Sequence, residues 1–128
     1  MRAVDATFPI DALKGHAGAA AKAEEFATSG ETVAIPAPAL AETLVGAHHA
    51  GGWLLRETLS LLEPFEVLPV DAEVAHEAGR LGAELVRRGE RLSGADLLVA
   101  ACCVTRGVVL VTRDDAFGRV PGLAVERY

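Results

Sequence analysis

The chain has 128 residues and a formal net charge of −6, from 12 Lys and Arg against 18 Asp and Glu; 51% of it is hydrophobic and 23% charged. That length and composition fit one globular domain, residues 1–128, built around one core. The acidic balance argues against a module that grips nucleic acid through broad counterion release. No apolar run reaches the ~18 residues needed to span a bilayer, and Asp5 falls where a signal peptide would carry its apolar stretch, so the protein is expected in the cytoplasm without a membrane partner.

In chain order, residues 2–5 read as a short buried strand. Thr7 is placed to cap a helix whose first turn tolerates Pro9, because early helix N–H groups lack partners anyway. Gly15 ends that helix. Residues 17–28 form an Ala-rich helix, and Ser29-Gly30 breaks it. Residues 31–35 read as a second strand, after which Pro36 and Pro38 open a helix running through Glu42 towards His48. Gly51-Gly52 interrupts the chain. Residues 53–62 are helical with a broad apolar face. Residues 65–70 read as a third strand. Asp71 caps a long amphipathic helix over 72–88. A polar connection, 89–92, leads to a helix over 93–105 that is apolar nearly all round and so belongs at the centre. Gly107 ends it. Residues 108–112 form a fourth strand, and 123–126 a fifth after the Val120-Pro121-Gly122 turn. Strands alternating with helices predict an α/β fold with a mostly parallel sheet of four to five strands, covered by helices on both faces.

Four carboxylates interrupt this pattern at the edges of apolar elements. Asp5 closes the first strand, Glu42 interrupts Pro38-Ala39-Leu40-Ala41, Asp96 heads the uncharged run Leu97 to Val104, and Asp114 follows Val108 to Thr112. Charges at buried edges cost several kcal/mol unless paired. No Arg or Lys is interleaved with these four, so a hard divalent cation with oxygen ligands is the natural compensation. In open parallel sheets, ligands gather where strands end at their carboxyl side. Each acid also has a plain structural reading. Asp96 completes Ser93-x-x-Asp96, a capping-box pattern. Asp114 can open a turn, Asp5 can cap the following helix, and Glu42 can be a helix surface residue. Asp11 reads as a helix-start charge. Cys102 and Cys103, adjacent and so about 100° apart on a helix, read as small core residues and not as a zinc pair.

Val4-Asp5-Ala6-Thr7, Leu40-Ala41-Glu42, Gly94-Ala95-Asp96-Leu97-Leu98-Val99-Ala100-Ala101 and Leu110-Val111-Thr112-Arg113-Asp114 with Phe117, closed by Arg119-Val120-Pro121-Gly122-Leu123, resemble the four acidic motifs of PIN domains. The resemblance is greatest to the small VapC-type toxins of toxin–antitoxin pairs and covers nearly the whole chain. It implies a metal-dependent endoribonuclease with a single PIN-like domain, an α/β/α sandwich. It further implies an RNA substrate, a cognate antitoxin protein as partner, and a homodimer. Carried onto this chain, Asp5, Glu42, Asp96 and Asp114 become the acids that hold Mg2+ or Mn2+, with Asp115 the alternative to Asp114. Thr7 and Thr112 become supporting hydroxyls, and hydrolysis by water is expected to leave a 5′-phosphate and a 3′-hydroxyl. The sequence departs from the family pattern at Gly94 and Ala116, where many relatives carry a further acid.

Arg113 is a candidate RNA contact, as are Arg87, Arg88 and Arg91, although most surface arginines are merely solvated. His48 and His49 read as exposed helix-end residues, and His16 and His76 carry no recognisable constellation. Trp53, Leu54, Leu55 and Leu59 are expected to be core for the most part; a dimer face or a groove for an antitoxin helix is the alternative. Two other classes compete with the nuclease. One is a PIN-like domain without catalysis that serves only as a protein-binding module. The other is a phospho-receiver-like α/β domain, which would want paired acids after the first strand and a late Lys.

Overall fold

The structure, a computed structural model, describes residues 1–128. Five strands form one sheet in the order β3-β2-β1-β4-β5, where β1 is Arg2–Val4, β2 Val33–Pro36, β3 Glu66–Leu68, β4 Val109–Val111 and β5 Val125–Glu126. Every neighbouring pair is parallel; Ala3 lies opposite Ala34 on one side and Leu110 on the other. Six helices connect them: α1 (Thr7–Leu13), α2 (Ala17–Ser29), α3 (Ala37–Ala50), α4 (Gly52–Leu62), α5 (Ala72–Arg87) and α6 (Gly94–Arg106). Parallel strands buried on both faces need apolar side chains throughout, and the central strands supply them: Ala3, Val4, Ala34, Ile35, Leu110 and Val111 have no exposed surface.

Helix limits follow local chemistry. Gly15, Gly30, Gly51 and Gly107 all take positive φ, between 62° and 77°, at helix ends where a side chain would be strained. Asp71 accepts from the Val74 N–H at 3.0 Å and starts α5. Ser93 accepts from the Asp96 N–H at 3.1 Å and starts α6, so one half of the expected capping box is formed. Helix α6 packs between α5, α3 and the sheet, with Val99 through Cys103 buried, which is the central place its composition demands. Both cysteines are free core residues.

Three expectations change. Thr7 does not cap α1: Ala6 holds that position without a side-chain bond, because the Thr7 hydroxyl is turned to Asp5. The strands are shorter than their apolar runs. Glu31 leaves the second strand to bind Arg2, and the third stops at Leu68, before Pro69, which has no N–H to pair. Finally, Trp53, Leu54 and Leu59 are not core; they are 60%, 36% and 47% exposed, and only the far side of α4, through Thr58 and Leu62, reaches the interior. No helix is long and apolar enough to cross a membrane.

Candidate active site

Strand order decides where a site can form. From β1 the chain builds outwards to β2 and β3 on one side, then returns to lay β4 and β5 on the other. The switch therefore falls between β1 and β4, and a crevice opens there at the carboxyl ends of the strands. Asp5 directly follows β1. Asp114 lies three residues beyond the last residue of β4, Val111. Glu42 is in the second turn of α3, which leaves the carboxyl end of β2. Asp96 is in the first turn of α6, which runs back against the strands and so starts at the same edge. All four line one small cavity of about 130 Å3, with Ala6, Thr7 and Val99. No Arg, Lys or His is among its lining residues.

Asp5 is the buried member, 4% exposed. Its Oδ1 accepts from the Thr7 N–H at 3.1 Å and from the Thr7 hydroxyl at 2.5 Å, and its Oδ2 accepts from the Thr112 hydroxyl. Thr112, itself fully buried, accepts from the Asp114 N–H at 3.0 Å. Burial pushes the Asp5 carboxyl above its ordinary value, although the bonds from Thr112 and Thr7 oppose it. The Glu42 carboxyl is raised by loss of water first and then by the charges of Asp96 and Asp5; no hydrogen bond compensates it. Asp96 is raised by burial and, more weakly, by Asp114, against the opposing hydroxyl of Ser93. The acids thus feel one another's charge through the cavity.

The cavity also separates Asp114 from Asp115. Asp114 lines it, and its Oδ1 accepts from the Ala116 N–H at 2.9 Å, starting a 3-10 turn over Asp115–Arg119 that the sequence reading did not foresee. The Asp115 side chain is 89% exposed and pairs with Arg127. No group of three or more Asp, Glu, His or Cys side chains is drawn together tightly enough to hold a metal ion as it stands. The donor set is oxygen only, which suits Mg2+ or Mn2+ and not a thiolate- or imidazole-seeking metal.

Raised carboxyls carry a stability consequence. A folded state that holds a proton more tightly than the unfolded chain is favoured at acid pH, and the benefit is lost as pH rises through the folded value. Without a cation, Glu42 therefore works against folding at neutral pH. Glu42 is solvent-exposed, so the effect is small: metal-free Glu42→Gln is expected to melt slightly above the parent at pH 7, with the gap closing near pH 4. Thermal denaturation at the two pH values checks this, and a lower melting point at pH 7 would contradict it.

Arg113, between Thr112 and Asp114 in the chain, is half-exposed but not free. Its Nε and Nη2 donate to Asp11 Oδ2 and Oδ1 at 2.8 and 3.0 Å. Asp11 is 6% exposed and also accepts from the Tyr128 hydroxyl at 2.8 Å; Arg113 first, then Tyr128, hold its carboxyl below the usual range despite burial. Asp11 is thus a buried ion-pair partner and more than a helix-start charge. The sequence held one usable signal, since Asp11 lies four residues after Thr7 and so shares its helix face. Arg87, Arg88 and Arg91 lie on the surface away from the cavity lining. His48 and His49 are exposed at the end of α3, as expected. His16 accepts from the Ala19 N–H at 3.2 Å and caps α2.

Comparison with known proteins agrees with this geometry. The PIN domain family model matches residues 3–123. The chain is 34% identical over 98 residues to "Ribonuclease VapC5" of Mycobacterium tuberculosis, covering 73% of each. It is 31% identical over 108 residues to "tRNA(fMet)-specific endonuclease VapC" of Salmonella typhimurium, covering 80% of each. Among solved structures, DNA-bound VapBC from Salmonella typhimurium superposes with a TM-score of 0.83 at 27% identity, over 99% of this chain and 98% of that one. Five parallel strands, four acids at their carboxyl edge and a family match over nearly the whole length agree: the chain belongs to the PIN domain family.

Proposed function

We infer that this protein is a metal-dependent endoribonuclease that hydrolyses RNA phosphodiester bonds and serves as the toxin of a toxin–antitoxin pair. The observation that carries the reading is the meeting of Asp5, Glu42, Asp96 and Asp114, from four separate segments, in one cavity without a basic residue. The names of the relatives, a ribonuclease and a tRNA-specific endonuclease, support the substrate class. Residues 1–128 act as one nuclease domain, in the cytoplasm, where RNA and antitoxin both are.

In this reading Asp5, Asp96, Glu42 and Asp114 hold Mg2+ or Mn2+. A bound divalent cation supplies Lewis acidity, making water more acidic and offsetting charge on the phosphate. The chain's own part is to present oxygens. Thr7 holds Asp5 Oδ1 through two hydrogen bonds and Thr112 holds Oδ2 through one, which leaves Oδ2 the freer oxygen for a cation. Ser93 and the first turn of α6 set Asp96, and the Asp114 backbone is tied to Thr112. Arg113, next to Asp114 in sequence, keeps a half-exposed side chain beyond its Asp11 pair and is the candidate to meet an RNA phosphate. Water, which a bound cation would make more acidic, would then be the nucleophile, leaving a 5′-phosphate and a 3′-hydroxyl with no histidine base required.

The antitoxin and a second copy of the chain take the exposed apolar surface. A groove of about 250 Å3 among α1, α3 and α4 is lined by Ile10, Leu13, Ala47 and Leu54, and Trp53, Leu59 and Val45 stand exposed on the same two-helix unit α3–α4. A segment with apolar anchors at helical spacing fits such a groove.

The test is incubation with a defined RNA pool and Mg2+. Cutting is expected to require the ion, stop with chelator, fall to background in Asp96→Asn, and leave 5′-phosphate ends. Equal cutting by Asp96→Asn would place the activity elsewhere. No cutting by the antitoxin-free parent would favour the alternative, a PIN-like domain that only binds protein.

A further inference from the structure

Behind Asp5 a set of side chains closes on itself. The Tyr128 hydroxyl donates to Asp11 at 2.8 Å and stands 3.1 Å from the Thr7 hydroxyl. Thr7 donates to Asp5 Oδ1, and Thr112 donates to Asp5 Oδ2. Arg113, the next residue after Thr112, returns to Asp11 through two N–H groups. The ring Asp5–Thr7–Tyr128–Asp11–Arg113–Thr112 therefore joins β1, α1, the end of β4 and the final residue. Asp5 and Thr7 line the cavity, and Tyr128 does not.

We propose that Tyr128 is a positioning residue for Asp5, acting through Thr7. The idea rests on the nuclease reading and extends it to a residue outside the cavity. Proton counting supports it. Asp11, kept ionised by Arg113, can only accept, so it takes the single Tyr128 proton. The single Thr7 proton then has two acceptors in reach, Asp5 Oδ1 at 2.5 Å and the Tyr128 oxygen at 3.1 Å, and it goes to the nearer. With both protons so committed the Thr7–Tyr128 contact is packing and not a hydrogen bond at rest; the Tyr128 oxygen sits behind the Thr7 hydroxyl and is the one other acceptor within reach of its proton.

The Tyr128 ring is held independently of its hydroxyl. It meets Phe8 edge-on at 5.7 Å and His16 edge-on at 5.8 Å. Gly18 leaves room for the Tyr128 backbone and the His16 ring: a Cβ there would come within 3.1 Å of each. Tyr128→Phe therefore removes the hydroxyl and keeps the packing.

The experiment is an Mn2+ titration followed by electron paramagnetic resonance, with cleavage kinetics in parallel, on the parent, Tyr128→Phe, Thr7→Ala, Thr7→Ser and the doubles. Tyr128→Phe is expected to weaken Mn2+ binding roughly tenfold, lowering kcat at fixed Mn2+ while KM for RNA stays within about twofold. In the Thr7→Ala background the same change is expected to do almost nothing, whereas Thr7→Ser, which keeps the hydroxyl, retains the sensitivity. Unchanged Mn2+ affinity in Tyr128→Phe, with only the melting point lowered, would reduce the ring to a structural brace and overturn the proposal. Equal losses with and without the Thr7 hydroxyl would also overturn it. A parent chain that binds no Mn2+ overturns the nuclease reading as well, so the two failures are distinguishable.

Discussion

Asp5→Asn is expected to reduce RNA cleavage about 10³-fold or more while leaving the protein folded. Asp5 is the buried anchor of the cavity, with one oxygen held by Thr7 and the other by Thr112. The amide keeps the shape but removes the charge and turns one acceptor into a donor. Loss of a single preorganised charge-stabilising group costs ~10²–10³ in rate, and here the lost group is also a ligand for the cation. Folding does not suffer in proportion, because burial already raises the Asp5 carboxyl and the neutral side chain removes that penalty. Single-turnover cleavage and thermal melting, run together, separate the two effects. Residual activity within about tenfold of the parent would remove Asp5 from the centre of the chemistry.

The largest stability effect is expected at the neighbouring turn. Phe8 is 1% exposed and sits edge-on to Phe26 and Tyr128, each at 5.7 Å. It fastens α1 to α2 and to the final residue, and it follows Thr7 directly. Phe8→Ala should cost about 3–5 kcal/mol, the usual range for a buried aromatic truncation, and lower the melting point by roughly 10–20 °C. Denaturant unfolding measures it. A loss below ~1 kcal/mol would mean that α1 is not tied to the core through this ring.

Much of the architecture was legible because chain breakers and apolar runs agree. Gly15, Gly30, Gly51 and Gly107 each end a helix where the sequence reading ends one, and the all-parallel sheet follows from strands alternating with helices. Strand lengths were overread because an apolar run continues after pairing stops, as at Phe65 and Val70, which lie outside the Glu66–Leu68 strand. Helix α4 was misread for a related reason. Hydrophobic periodicity reports which face wants to leave water, not what covers it, and Trp53 and Leu59 remain open in the isolated chain.

The candidate site divides in the same way. The four acids stood out one by one as charges at apolar edges, but only the switch between β1 and β4 brings them to one cavity. The choice between Asp114 and Asp115 needed geometry, since adjacent residues in a turn point in different directions. The Asp11–Arg113–Tyr128 cluster was hidden because its members lie 102 and 117 residues apart along the chain and carry no motif. Thr7 looked like a cap because Ser and Thr often are; here a carboxylate two residues earlier outbids the backbone for its hydroxyl.

Calorimetric titration with Mn2+ of the parent chain and of Asp5→Asn, Glu42→Gln, Asp96→Asn and Asp114→Asn tests the shared cavity most directly. Saturable binding by the parent, weakened in every one of the four variants and lost on acidification as the carboxylates protonate, is the expected result. Binding that is absent in the parent, or equally strong in all five proteins, would mean that these acids do not share a cation.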